Sequence, residues 1–192
     1  MNADDGYAAE PPPEAYSRVT NPGRFRPLHA FALEMADRLA AGYDVARTEA
    51  FAPPPGVAPF EHARPPVTLT PSTPAAAPVA IAFTTFPGVI VRYGRWLAEP
   101  FPSCGCDACG ETAGGEGARL EELLGDVVAG RFTEELTIPL LGEARLRWTL
   151  GGGGHRSAGM RRLPRARART LRGAGPRRVR WQPWPPRMAP AV

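Results

Sequence analysis

Proline stands at 24 of the 192 positions and glycine at 21, so long parts of this chain cannot be regular helix or strand. Residues 51–66 hold six prolines and read as a loop. Residues 1–13 are acidic, aperiodic and closed by Pro11-Pro12-Pro13, which describes a disordered leader. Residues 188–192 read as a disordered end, and 14–187 as a single domain of ordinary size.

Between the breaks, hydrophobic spacing marks the elements. Leu28, Phe31, Ala32, Met35 and Leu39 recur at three- and four-residue intervals, predicting an amphipathic helix over 26–42 with Pro27 in its first turn. Val67–Thr70, Val79–Phe86 and Val89–Tyr93 are β-branched and aromatic runs, predicting three antiparallel strands. Leu120, Leu123, Leu124, Val127 and Val128 form one face of a second helix, closed at Gly130-Arg131 and separated from the cysteines by Gly110–Gly117. Leu136, Ile138 and Leu140, then Leu146, Trp148 and Leu150, alternate with polar residues across Gly142-Glu143, predicting a hairpin whose Pro139 arm lies at an edge or points its N–H position outward. Gly151–Gly154 reads as a separator, Pro164–Arg172 as a short helix, and 177–185 as an extended stretch laid on the body through Trp181 and Trp184. The expected fold class is therefore α+β: one domain, a mostly antiparallel sheet of about five strands, two main helices and a short C-terminal helix.

Lysine is absent, which excludes a Walker-type phosphate loop and a Schiff-base lysine. The net charge of +4 conceals an asymmetry: residues 1–150 carry −7, whereas 151–192 hold 11 Arg and no acid. Such a segment, with Trp181 and Trp184 between its arginines, has the electrostatic character of a nucleic-acid binder, although arginine on a solvated face explains it equally. No secretory signal precedes Arg18, and runs such as Val89-Ile90-Val91 are too short to span a bilayer, so no membrane association is expected. Three cysteines, an odd number, suit a reducing compartment, and the expected location is cytoplasmic.

Those cysteines are the sharpest local feature. Cys104-x-Cys106-x-x-Cys109 places three thiols within six residues of a loop, where they converge by coordinating a metal, by reacting with one another, or simply by packing a tight turn. A zinc site needs a fourth ligand, and His155, following four glycines, is the preferred candidate, ahead of Asp107, Glu111 and His62. Cys106-x-x-Cys109 also has the spacing of thiol–disulfide oxidoreductases. Four serines, none within G-x-S-x-G, offer no nucleophile elbow. Gly151–Ser157 lacks the lysine of a phosphate loop, and His29 reads as a surface or capping residue.

The order Pro13–Pro22, Phe25-Arg26-Pro27-Leu28-His29, Phe83–Gly88, Arg92-Tyr93-Gly94-Arg95-Trp96, Cys104–Cys109 and Trp181–Pro185 resembles a family of uncharacterised proteins from high-GC actinobacteria known as domain of unknown function 6226. The resemblance covers about residues 13–187 and implies that the arginine-rich C-terminus belongs to the domain. It implies no activity, substrate or cofactor. The expectation is a non-enzymatic cytoplasmic binding or interaction protein with a protein partner, whose Cys104, Cys106, Cys109 and His155 bind zinc. The alternatives are a thiol-redox or metal-dependent enzyme, and nucleic-acid binding through the C-terminus.

Overall fold

Leu28, Ala32, Met35 and Ala36 are buried along one face of α1 (Pro27–Gly42), which continues from a 3-10 turn at Pro22–Phe25. Proline in the first turn costs no hydrogen bond there, because that N–H has no intrahelical acceptor. The computed structural model describes residues 11–50, 62–152, 155–172 and 177–188, with the side chains of residues 155, 156 and 172 outside that description. The expected disordered leader and end therefore fall mostly outside the described residues, although Pro13 already begins a 3-10 turn.

Five antiparallel strands run in chain order as one sheet: β1 (Val45–Glu49), β2 (His62–Pro71), β3 (Val79–Thr84), β4 (Val89–Tyr93) and β5 (Leu97–Phe101). β3 is central and buried on both faces, with Val79, Ile81 and Phe83 on one side and the small Ala80 and Ala82 on the other. β2 begins inside the stretch expected to be loop, and it absorbs Pro65 and Pro66 by shifting register between Arg64 and Val67. β5 tolerates Pro100 because it is an edge strand.

A second, four-stranded antiparallel sheet has the order β8-β7-β6-β9, from β6 (Phe132–Thr137), β7 (Ala144–Gly152), β8 (His155–Leu163) and β9 (Arg178–Arg180). The β6–β7 hairpin has the expected alternation, Leu136 facing Leu146 and Phe132 facing Leu150. Two details differ. β6 is internal and stops at Thr137, so Pro139 lies beyond the ladder and Leu140 is 93% exposed. The expected separator at Gly151–Gly154 is in part strand: β7 runs on through Gly152, which faces His155 on β8. Gly159 on β8 seats the indole of Trp148, which would lie 2.2 Å from an added Cβ.

α2 (Ala113–Val128) buries Leu120, Leu123, Leu124, Val127 and Val128, touching α1, β5 and β7 and so joining the two sheets into one core. It begins earlier than the glycine-rich sequence suggests, because the Thr112 hydroxyl caps it by accepting the Gly115 N–H at 3.1 Å. Gly114, Gly115 and Gly117 lie inside the helix, so the separation expected between it and the cysteines is only residues 110–112. α3 (Arg165–Arg172) follows Pro164 and receives the Trp96 indole N–H on the Leu171 carbonyl at 2.7 Å. The fold is α+β in a single domain.

A buried carboxylate couples the sheets. Glu134 on β6 is wholly buried; its Oε1 accepts the Arg95 N–H at 2.7 Å and the Trp181 indole N–H at 3.1 Å, and its Oε2 accepts the Trp96 N–H at 3.1 Å. The turn between β4 and β5, the second sheet and the C-terminal segment thus meet at one side chain. Trp184 adds a second tie, donating to the Ala77 carbonyl at 2.8 Å and meeting Tyr43 edge-on.

Candidate functional site

The cysteine loop leaves β5 at Phe101 and enters the cap of α2 at Thr112, so both ends are fixed by regular structure. The three Sγ atoms lie within 4.8 Å of one another, with Cys106 buried, Cys104 half-buried and Cys109 exposed. Cys106 Sγ is 3.2 Å from Cys109 Sγ. Gly110, in the left-handed region at φ +63°, turns the chain after the third cysteine.

The loop is shaped from outside by the N-terminal segment. Arg24 spreads its guanidinium over the loop: Nη2 donates to the Gly105 and Cys106 carbonyls at 3.0 Å each, and Nε donates to the Glu111 carbonyl at 3.4 Å. Its own position is set by the 3-10 turn and by the Phe25 ring, 4.5 Å away. The Asp107 N–H donates to the Arg18 carbonyl at 2.9 Å, and the Asp107 carboxylate accepts from the Thr20 N–H and hydroxyl at 3.0 and 3.1 Å. Those Thr20 hydrogen bonds, helped by Arg18, hold the Asp107 carboxyl below its usual range. Gly105 packs against the tip of the Phe86 ring, whose Cζ would lie 2.6 Å from an added Cβ. Every one of these contacts is made by backbone or by side chains other than the thiols, so the loop's shape is set by groups other than the sulfurs.

The thiols are electrostatically unequal. Hydrogen bonds from Cys109 and then Cys104 push the Cys106 thiol down, whereas the Cys109 proton, held against Cys106, is pushed up to about 12. Cys106 is thus the thiol whose ionised form its neighbours favour.

The candidate fourth ligands divide as follows. Asp107 is engaged by Thr20 and Arg18, and Glu111 accepts the Cys104 N–H at 2.9 Å, so both shape the loop. His62 opens β2, and among the described residues no His, Asp or Glu joins the three sulfurs. His155 opens β8, but its side chain lies outside the described residues. His29 is half-buried: its Nε2 is 2.8 Å from the Gly88 carbonyl and its ring meets Phe83 edge-on. Arg24 and Thr20 were invisible as site residues in the sequence, because a guanidinium bonded to carbonyls 81 and 82 positions away leaves no local pattern.

The arginine-rich end is built differently from an open binding arm. Trp181 and Trp184 are 4% and 3% exposed, so neither ring is available for base stacking. Among the described residues no helix is long and apolar enough to cross a membrane.

Residues 3–188 match the profile of a family of unknown function (DUF6226). The chain belongs to this family. The DUF6226 match includes the N-terminal segment, the cysteine loop and the C-terminal tryptophans, so the elements that build the site and those that close the core lie within one family domain. No curated protein and no solved structure matches the chain.

Proposed function

We propose that this DUF6226 protein is a non-enzymatic, cytoplasmic binding protein whose cysteine loop holds one zinc ion through Cys104, Cys106 and Cys109. The observation that carries the reading is the convergence of three sulfurs within 4.8 Å on a loop shaped by other groups. A tetrahedral zinc with Zn–S of about 2.3 Å spaces its sulfurs roughly 3.8 Å apart. That value lies between the 3.2 Å of the Cys106–Cys109 pair and the 4.8 Å limit of the cluster, so small side-chain rotations suffice. Three thiolates select a soft or borderline ion, and a reducing compartment keeps them available. Binding would release the proton held by Cys109, and the exposure of that residue supports a fourth coordination position open to water or a partner's ligand.

The 3.2 Å Cys106–Cys109 contact also supports a second reading, a dithiol that cycles with a disulfide. Elemental analysis of protein purified without chelator, together with thiol titration, separates the two. Zinc at one per chain, lost in Cys104→Ser and Cys109→Ser, is expected. Metal-free protein with three titrating thiols overturns the metal site, and metal-free protein with a single titrating thiol establishes the dithiol.

A further inference from the structure

The second sheet buries one face in the core and turns the other to solvent. Along β7, Ala144, Leu146 and Leu150 point inward, while Arg145 and Arg147 point outward. Cross-strand partners in an antiparallel pair share a face, so the ladder identifies the outer one. Arg178 on β9, Glu135 on β6, Arg147 on β7 and Met160 on β8 form one row across the sheet. Arg180, Thr133, Thr149 and Ala158 form the next, and Thr137, Arg145 and Arg162 a third.

Five arginines on three of the four strands thus share one exposed face. Only Arg162 has an ion pair, with the exposed Glu143 at 3.4 Å; among the described residues Arg145, Arg147, Arg178 and Arg180 have none. Arg145 even lies directly opposite Arg162, a like-charge pairing that weakens a ladder unless something else neutralises it. Glu143 offsets that pairing from the exposed side of Arg162, and residues 151–192 contain no acid to add to it.

We infer that the outer face of the second sheet is a docking surface for the phosphate backbone of a nucleic-acid duplex. Charge complementarity gives the sign of the partner, and the face's composition gives its class. Protein interfaces centre on apolar or aromatic anchors, and here Met160 is the single large apolar side chain among the described residues of these rows. Nucleic-acid interfaces are polar and basic, and phosphate oxygens are bound by arginine and by hydroxyls such as those of Thr133, Thr137 and Thr149. No aromatic ring belongs to these rows, so the surface suits a stacked duplex backbone better than splayed single-stranded bases. The surface is separate from the buried Trp181 and Trp184, and the inference does not depend on the cysteine loop.

The test is fluorescence anisotropy of a labelled 20-base-pair duplex titrated with the full chain at several salt concentrations. Four unpaired arginines give a log–log salt slope of about −3.6, or roughly 150-fold weaker binding between 50 and 200 mM salt. Arg147→Gln with Arg180→Gln should flatten the slope by about 2, while Arg38→Gln on α1 leaves it unchanged. Glu135→Gln, which removes the acid between Arg147 and Arg178, should tighten binding, a gain that misfolding cannot produce. The inference is overturned by absence of duplex binding at 50 mM salt, by an unchanged slope in the double variant, or by equal affinity for a polyglutamate peptide, which would make the partner an acidic protein.

Discussion

Glu134 and Trp181 meet at 3.1 Å in the wholly buried junction between the sheets, a carboxylate from β6 against the indole N–H of the C-terminal segment. Burial pushes the Glu134 carboxyl up to about 7, against the opposing effect of its three N–H donors and nearby Arg95. A carboxyl raised above its unfolded value of 4.5 makes the folded state hold more protons than the unfolded state between those two values. Stability from this group is therefore fully present below about pH 4.5 and is lost as pH rises through about 7, by roughly 3 kcal/mol in total. Urea unfolding at pH 5 and pH 8 reads the difference. Glu134→Gln should abolish this component while lowering stability at both values, because its amide would present a donor to another donor.

Arg24 predicts a separable effect on the cysteine loop. Arg24→Ala removes the guanidinium from the Gly105, Cys106 and Glu111 carbonyls yet leaves every thiol in place. Supporting groups of this kind contribute about 10- to 100-fold to metal affinity. Zinc affinity measured by chelator competition should fall by that factor, with the zinc-to-protein ratio at saturation unchanged. An undiminished affinity would mean that the loop holds its shape without the N-terminal segment.

Gly130 joins backbone geometry to packing. It closes α2 at φ +69°, and a Cβ there would lie 2.4 Å from the Pro183 nitrogen, a backbone atom that cannot rotate away. Gly130→Ala therefore combines left-handed strain with displacement of the C-terminal segment, and we expect a loss of about 3 kcal/mol in chemical unfolding. Gly125→Ala, inside the same helix with open space at its Cβ, serves as the contrast and should raise stability by about 1 kcal/mol.

Elements with a strong period were legible in the sequence. The Leu28–Met35 stripe, the Leu120–Val128 stripe and the Leu136–Leu146 register could be read because one face of each is buried against the core. β1, β5 and β8 could not, since each is an edge strand of polar or proline-containing sequence whose partner supplies the ladder. Glu134 did leave a trace: it occupies an inward position between Phe132 and Leu136, where a charge is out of place. The cysteines were visible because all three lie within six residues of one loop. What holds them was not, because Arg18, Thr20 and Arg24 reach the loop only after the chain has folded back across 81 to 89 positions.

The same folding-back decides what truncating the arginine-rich end does. Trp181 fills space beside Phe132 and Trp184 beside Tyr43, and each indole N–H is satisfied inside the protein. Removing a buried Trp ring costs about 3–5 kcal/mol, a large part of the total stability of a domain this size. Trp181→Ala and Trp184→Ala should each lower the thermal midpoint steeply, and deletion of residues 173–192 should unfold the protein. Arg178→Gln, on the exposed side of β9, should stay within about 0.5 kcal/mol of the parent. A truncated chain that kept its midpoint would make this segment an appended arm. A steep loss in the tryptophan variants alone makes it the closing strand of the core, with its arginines free to act on the outside.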